Sequence, residues 1–241
     1  MNNINIGTSG WHYDHWQGAF YPKDLPKNDR FGFYLKHFST VEINNTFYQL
    51  PEEKTLRDWR DQAGEEFNFS IKASRYITHM KKLKDPKDAA ANFFRAIEPI
   101  KSRSDVILFQ LPPRFRYNGE RLKSFLEILP DTYRYAFEFR DKSWENEKVY
   151  RLLSNNNAAL CIYDMEGRTS PGEITSDFIY VRLHGPGRAY EGSYDKQTLS
   201  GWAGAFSTWS SKGKEVFCYF DNDQNGYAAK NAMTLKNMLN K

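Results

Sequence analysis

Eight short β-forming runs recur along the chain, and segments of helical spacing or composition separate most of them. The runs are INIG (4–7), TVEIN (40–44), FNFSIK (67–72), VILFQL (106–111), YAFEFR (135–140), ALCIYD (159–164), IYVRLHG (179–185) and VFCYFDN (216–222). Between them lie NDRFGFYLKHF, EEKTLRDWRDQA, DPKDAAANFFRAIEPI, NGERLKSFLEIL, ENEKVYRLLSNN and DKQTLSGWAGAFSTWSS, and GYAAKNAMTLKNMLN closes the chain. PEEKT and DPKDA carry the proline and acids of a helix start. Only MEGRTSPGEITSD, between the sixth and seventh runs, reads as loop. Strands that alternate with helices form a parallel sheet, because parallel neighbours need a long crossover. Eight such units in 241 residues predict a single α/β domain over residues 1–241, a closed parallel (β/α)8 barrel of TIM type. No GxGxxG follows the first run, which counts against an open dinucleotide-binding sheet. Apolar residues make up only 40% of the chain, but aromatics reach 16%. Large rings, each burying roughly 150–250 Å², supply the missing core area.

Alternation within the runs predicts which side chains face inward. A strand residue and its neighbour point to opposite faces, so the apolar set belongs under the helices wherever the other set is charged. That parity sends Val41 and Ile43 outward and Glu42 and Asn44 inward. Phe67, Phe69 and Ile71 go out, leaving Ser70 and Lys72 inside. Phe137 and Phe139 go out, leaving Glu138 and Arg140. Val181 and Leu183 go out, leaving Arg182 and His184. Gln110 joins the inward set on a run too apolar to phase by itself, and the eighth run cannot be phased.

These inward residues come late in their runs, near the end where barrel enzymes hold their sites. Glu42, Lys72, Glu138, Arg140, Arg182 and His184 are therefore the candidate catalytic set, expected to converge at one mouth. Histidine aside, it carries three positive charges against two negative, which favours a phosphate- or carboxylate-bearing ligand. The plain alternative is an ion-pair plug that only fills the interior. Burying charge is costly and ion pairs can often be replaced by apolar residues without loss, so five charges in one interior point to selected function. Trp11, Asn44, Tyr48, Gln110, Trp144, Gly187, Arg188, Asn222 and Gly226 are the candidate ligand-binding residues. HGPGRAYEGSY after the seventh run and DNDQNGYAAKNA after the eighth form the expected anion seat. There Arg182, Arg188, the backbone near Gly187 and Gly226, and a helix starting near Asn225 would act together.

Other features narrow the class. The net charge of +4 suits an anionic ligand without requiring nucleic acid. MKKLKDPK (80–87), the one lysine cluster, reads more simply as a solvated helix approach. No run approaches the roughly 18 apolar residues of a membrane span, and MNNINIG lacks a secretion-signal layout, so a cytoplasmic protein without a membrane partner is expected. Cys161 and Cys218 lie in apolar runs and read as core residues. His12 and His15 fall in a loop without a third ligand, and no metal site is expected, although Glu42, Glu138, Asp164 and His184 could hold a hard divalent ion. No GxSxG or P-loop is present, and no motif names a cofactor.

GTSGWHYDHWQGAFYP, VEINNTFYQLP, FSIKASRYITH, ILFQLPPRF, AFEFRDKSW, YVRLHGPGRAY and YFDNDQNGYAAKNA occur in this order from residue 7 to about 232. Together they resemble the YecE-like family, a domain of unknown function. The resemblance implies a TIM-type barrel and supplies no reaction. One departure stands out: the last block reads FDND, with Asp221 where the family pattern has asparagine. The expected function is an enzyme, a hydrolase as the working class, using carboxylate acid/base chemistry on a small anionic metabolite. One alternative is a glycosidase using Glu42 and Glu138, with Trp11 and Trp144 stacking on sugar. The other is a non-catalytic module for a phosphorylated ligand or, less favoured, nucleic acid.

Overall fold

The computed structural model describes residues 3–240, so the first two residues of MNNINIG lie outside it. All eight expected strands are present: β1 (Ile4–Thr8), β2 (Thr40–Ile43), β3 (Asn68–Lys72), β4 (Ser104–Leu111), β5 (Arg134–Phe139), β6 (Ala159–Met165), β8 (Phe178–Leu183) and β9 (Glu215–Phe220). The loop-like MEGRTSPGEITSD stretch contributes one more, the two-residue β7 (Arg168–Thr169). It folds back antiparallel on β6 through Met165↔Arg168. Glu166 and Gly167 both have positive φ, 56° and 72°, as a tight two-residue hairpin turn requires.

Seven helices follow the expected segments, α1 (Arg30–Leu35), α3 (Glu53–Ala63), α4 (Lys87–Ile97), α5 (Gly119–Leu126), α6 (Glu147–Asn155), α7 (Lys196–Ser211) and α8 (Tyr227–Leu239), and the short, unexpected α2 (Asn45–Tyr48) follows β2. Their starts have identifiable causes. Asn118, Asn146 and Asp195 cap α5, α6 and α7 by accepting main-chain N–H groups. Pro51 and Pro86 stand just before α3 and α4, where the missing N–H is harmless.

The chain gathers into two compact units, each built from separated stretches. The first comprises residues 1–42, 162–170 and 178–241, and the second residues 43–161 and 171–177. Two crossings fall inside β2 and β6, where no linker composition could mark them. In the first unit β9 pairs in parallel with β1 (Thr8↔Phe220) and with β8 (Leu183↔Phe220). The later part of β6 follows β8 in the strand order, and Ser9 and Glu42 form an isolated parallel bridge. In the second unit β4 pairs in parallel with β3 and β5, and β5 with the start of β6. This is an α/β fold of parallel strands.

On β5 the packing agrees with the parity reading. Phe109 and Phe137 pack on Phe125 of α5, with ring centroids 4.8 and 6.2 Å away. Gln110 therefore takes the opposite face of β4, which settles a strand that composition could not phase. On β9, Tyr219 hydrogen-bonds Thr40, while Phe220 packs on Tyr194. Tyr219 and the following Asp221 thus share one face.

Candidate functional site

In the first unit, alternation along β8 places Tyr180, Arg182 and, one step past the strand, His184 on one face. The Tyr180 hydroxyl donates to Oε2 of Glu42 at 2.7 Å. Arg182 gives both Nε (3.1 Å) and Nη2 (2.6 Å) to Oε1 of the same carboxylate. Nη2 also reaches Oγ of Ser9 at 2.9 Å and Oδ2 of Asp221 at 3.0 Å, and Ser9 in turn donates to Glu42. Nδ1 of His184 lies 3.0 Å from Oδ2 of Asp221, and its Nε2 lies 3.4 Å from Nη1 of Arg182. Glu42, Arg182 and His184 are fully buried. Burial, and then the neighbouring Glu42 charge, push the Tyr180 hydroxyl well above its ordinary range, so it remains a donor.

A second network in this unit fixes the loop after β8. Asn222 donates to the Gly192 carbonyl (2.8 Å) and to Oδ1 of Asn231 (2.9 Å), which also accepts from the Tyr194 N–H. The Tyr194 hydroxyl donates to Asp164 at 2.7 Å and accepts from the Gly185 N–H at 2.9 Å. Asn222, a candidate ligand-binding residue, thus serves here to hold backbone.

The expected anion seat differs from its sequence reading in three ways. Arg182 is engaged by two carboxylates, and Asp221 brings the charge that an anion would have to oppose. Burial, and then repulsion from Asp221, raise the pKa of Asp223 in the same loop. The helix starts at Tyr227 and not near Asn225, since Gln224–Gly226 form a single 3-10 turn with Asn225 at φ 53°. Gly226 is demanded by geometry: its φ is 71°, and an added Cβ would come within 3.1 Å of that of Ala19. Gly187 and Arg188 are exposed in the loop above.

In the second unit Glu138 is fully buried and ion-paired to Nε of Arg140, whose side chain is nearly buried. Its Oε1 accepts from Gln110 at 2.9 Å, and the Cys161 thiol lies 3.9 Å from Oε2. The Lys72 ammonium sits 4.4 Å over the ring of Phe47. Phe47 belongs to α2, where Thr46 ties the helical turn to the Lys72 carbonyl with a 2.6 Å hydrogen bond. His79 meets the same phenylalanine edge-on at 4.9 Å, with Nδ1 2.9 Å from the Thr78 hydroxyl. Burial first, then Lys72 and Arg75, pull the His79 pKa down to about 4; Glu138 opposes them and Arg140 adds to them. His79 is thus a neutral imidazole at pH 7.

The six catalytic candidates fall into these two clusters, Glu42, Arg182 and His184 in the first and Lys72, Glu138 and Arg140 in the second. The two tryptophans expected to stack on a sugar are core residues. Trp11 packs on Phe31 at 4.8 Å, and Trp144 stacks on Phe139 at 4.7 Å while donating to the Phe115 carbonyl. Asn44 is half-buried before α2, and Tyr48 is exposed. Sequence reasoning overlooked Ser9, Tyr180 and His79 as members. Tyr180 was within reach, since it shares parity with Arg182; His79 was not, because it lies on an irregular turn with no periodic signal. Among the described residues, no three His, Cys, Asp or Glu side chains are grouped to hold a metal ion. Nor is any described helix long and apolar enough to cross a membrane.

Residues 5–241 match the family model described as "Protein of unknown function DUF72". The chain belongs to the DUF72 family. It is similar to the UPF0759 protein YunF of Bacillus subtilis (strain 168), at 25% identity over 98% of this chain and 94% of that one. The UPF0759 protein YecE of Escherichia coli (strain K12) matches at 33% identity over 54% of this chain and 50% of its own. A solved DUF72 family structure from Thermotoga maritima superposes with a TM-score of 0.87 at 30% identity, covering 99% of both chains. The fold of this DUF72 chain is therefore shared at full length with a relative.

Proposed function

We propose that this DUF72 protein is an enzyme acting on a small anionic metabolite. Lys72 and Arg140 receive the anion, and Glu138 serves as the base. One observation carries the reading: the charged groups acting on His79 are three cations, Lys72, Arg75 and Arg140, against one carboxylate, Glu138. Arg75 is exposed, and cations that converge near a half-buried ring are surroundings that attract an anion. The Arg140 pair and the Gln110 hydrogen bond stabilise Glu138 as carboxylate, which suits a base and not a general acid. The same argument weakens the glycosidase reading, because Glu42 and Glu138 are each ion-paired to an arginine. The parallel strand order and the Ser9–Glu42 bridge support the TIM-type (β/α)8 reading of the fold.

Calorimetric titration with inorganic phosphate and with citrate tests the binding step. Lys72→Met is expected to weaken either anion by tenfold or more while the variant stays folded by circular dichroism. Equal affinity of wild type and Lys72→Met would end the proposal. Glu138→Gln is expected to retain phosphate binding.

A further inference from the structure

The α2 turn and the start of α3 border a cavity of about 430 Å³, within the range of small-molecule sites. Its wall combines two aromatic rings, Tyr48 and Trp59, with the apolar Leu50 and Pro51 and a single formal charge, the Glu52 carboxylate. The remaining lining groups are two amides and a hydroxyl, all uncharged. Tyr48 is 73% exposed, and its ring meets the buried ring of Phe47 edge-on at 5.0 Å, which fixes its position. Thr46 ties the same turn to β3 through the Lys72 carbonyl. Trp59 is half-buried on α3. The charges beside Glu52 are answered within the helix: Glu53 pairs with Arg57 and Lys54 with Asp58, each four residues on. Glu52 itself is exposed and takes part in no ion pair among the described residues. The positive end of α3, about half a charge, is outweighed by Glu52 at the cap and Glu53 in the first turn.

We infer that this wall binds a small organic cation, an ammonium whose carbon substituents cover Tyr48 and Trp59 while its charge is held near Glu52. A ring face carries negative potential and attracts a cation within about 6 Å of its centre, so rings and carboxylate act in the same direction. An anion would be repelled by Glu52. A neutral apolar ligand would cover the rings and desolvate the carboxylate without compensation. The site stands apart from the anion reading, because none of Lys72, Glu138 and Arg140 lines it.

The probes are choline, its uncharged carbon isostere dimethylbutanol, and glucose. Each is titrated into the full chain at low ionic strength, where charge is least screened, and the indole N–H resonance of Trp59 is followed by NMR. Choline is expected to shift that resonance saturably and to bind about fivefold or more tightly than dimethylbutanol. Glu52→Gln is expected to remove this preference. Tyr48→Ala is expected to weaken choline by about fivefold or more, and Tyr48→Phe to keep it. Both positions are exposed, and circular dichroism checks that the variants fold. Equal binding of choline and dimethylbutanol, or a preference that survives Glu52→Gln, overturns the inference. Choline affinity unaltered by Tyr48→Ala does the same. Glucose binding as tightly as choline would assign the wall to neutral polyols and end the cation site. So would the lack of any saturable choline shift.

Discussion

Arg182 places Nε and Nη2 on a single oxygen of Glu42, at 3.1 and 2.6 Å, and leaves the other oxygen to the hydroxyl of Tyr180. Both members of the pair are fully buried. Glu42→Gln removes one of the two carboxylate charges on the buried guanidinium, Asp221 being the other, and breaking such a buried pair costs about 3–5 kcal/mol. Tyr180→Phe removes one hydrogen bond to a charged acceptor and is expected to cost less, about 1.5–3 kcal/mol. Urea unfolding of both variants checks the order. A Glu42→Gln midpoint equal to that of wild type would show that this pair does not hold the first unit together.

Asp221 serves two neighbours, Arg182 and His184. Asp221→Asn retains an acceptor but removes the repulsion that raises the Asp223 carboxyl. In the variant Asp223 is expected to titrate at lower pH, as read by carbon-detected NMR of its carboxyl. An unchanged Asp223 titration would mean that burial alone sets its value.

His79 makes stability depend on pH. Its folded pKa of about 4 lies below the ordinary 6.5, so between these values the unfolded chain binds more protons than the folded one. The contribution is present in full above pH 6.5 and is lost as pH falls toward 4. Lys72 of β3, Arg75 and the Glu138–Arg140 pair are the charged groups that act on the ring. His79→Gln is expected to flatten this part of the stability profile, measured by urea unfolding at intervals between pH 7.5 and 4.5. Parallel profiles for the two proteins would contradict the assignment.

Gly226 and Gly201 should respond oppositely to alanine. At Gly226 the left-handed φ of 71° and the 3.1 Å approach to Ala19 both penalise a Cβ, so Gly226→Ala is expected to lose at least ~1–2 kcal/mol. Gly201 lies in α7 with nothing near its Cβ position, and Gly201→Ala is expected to gain roughly 0.5–1 kcal/mol. Denaturation midpoints shifted in the same direction would refute the contrast.

The sequence by itself determined the order of the eight main strands and, on the second, third, fifth and seventh runs, an expected face for each side chain. Both follow from local periodicity: apolar residues two apart mark the covered side, and Glu42, Lys72, Glu138, Arg182 and His184 take the other side by necessity. Only the tertiary structure decided which of these residues meet. Glu42 and Arg182 are 140 residues apart, and nothing near either one in sequence selects the other. That pairing is set by the parallel register of β8 on β9, by the Ser9–Glu42 bridge and by the turn that follows each strand. The same holds for the anion seat. Summing the inward residues set three cations against two carboxylates, but in the folded chain Arg182 meets both Glu42 and Asp221, while Lys72, Arg75, Arg140 and Glu138 are the charged groups that act on His79. Charge acts through distances of a few ångströms, and those distances exist only in the folded chain.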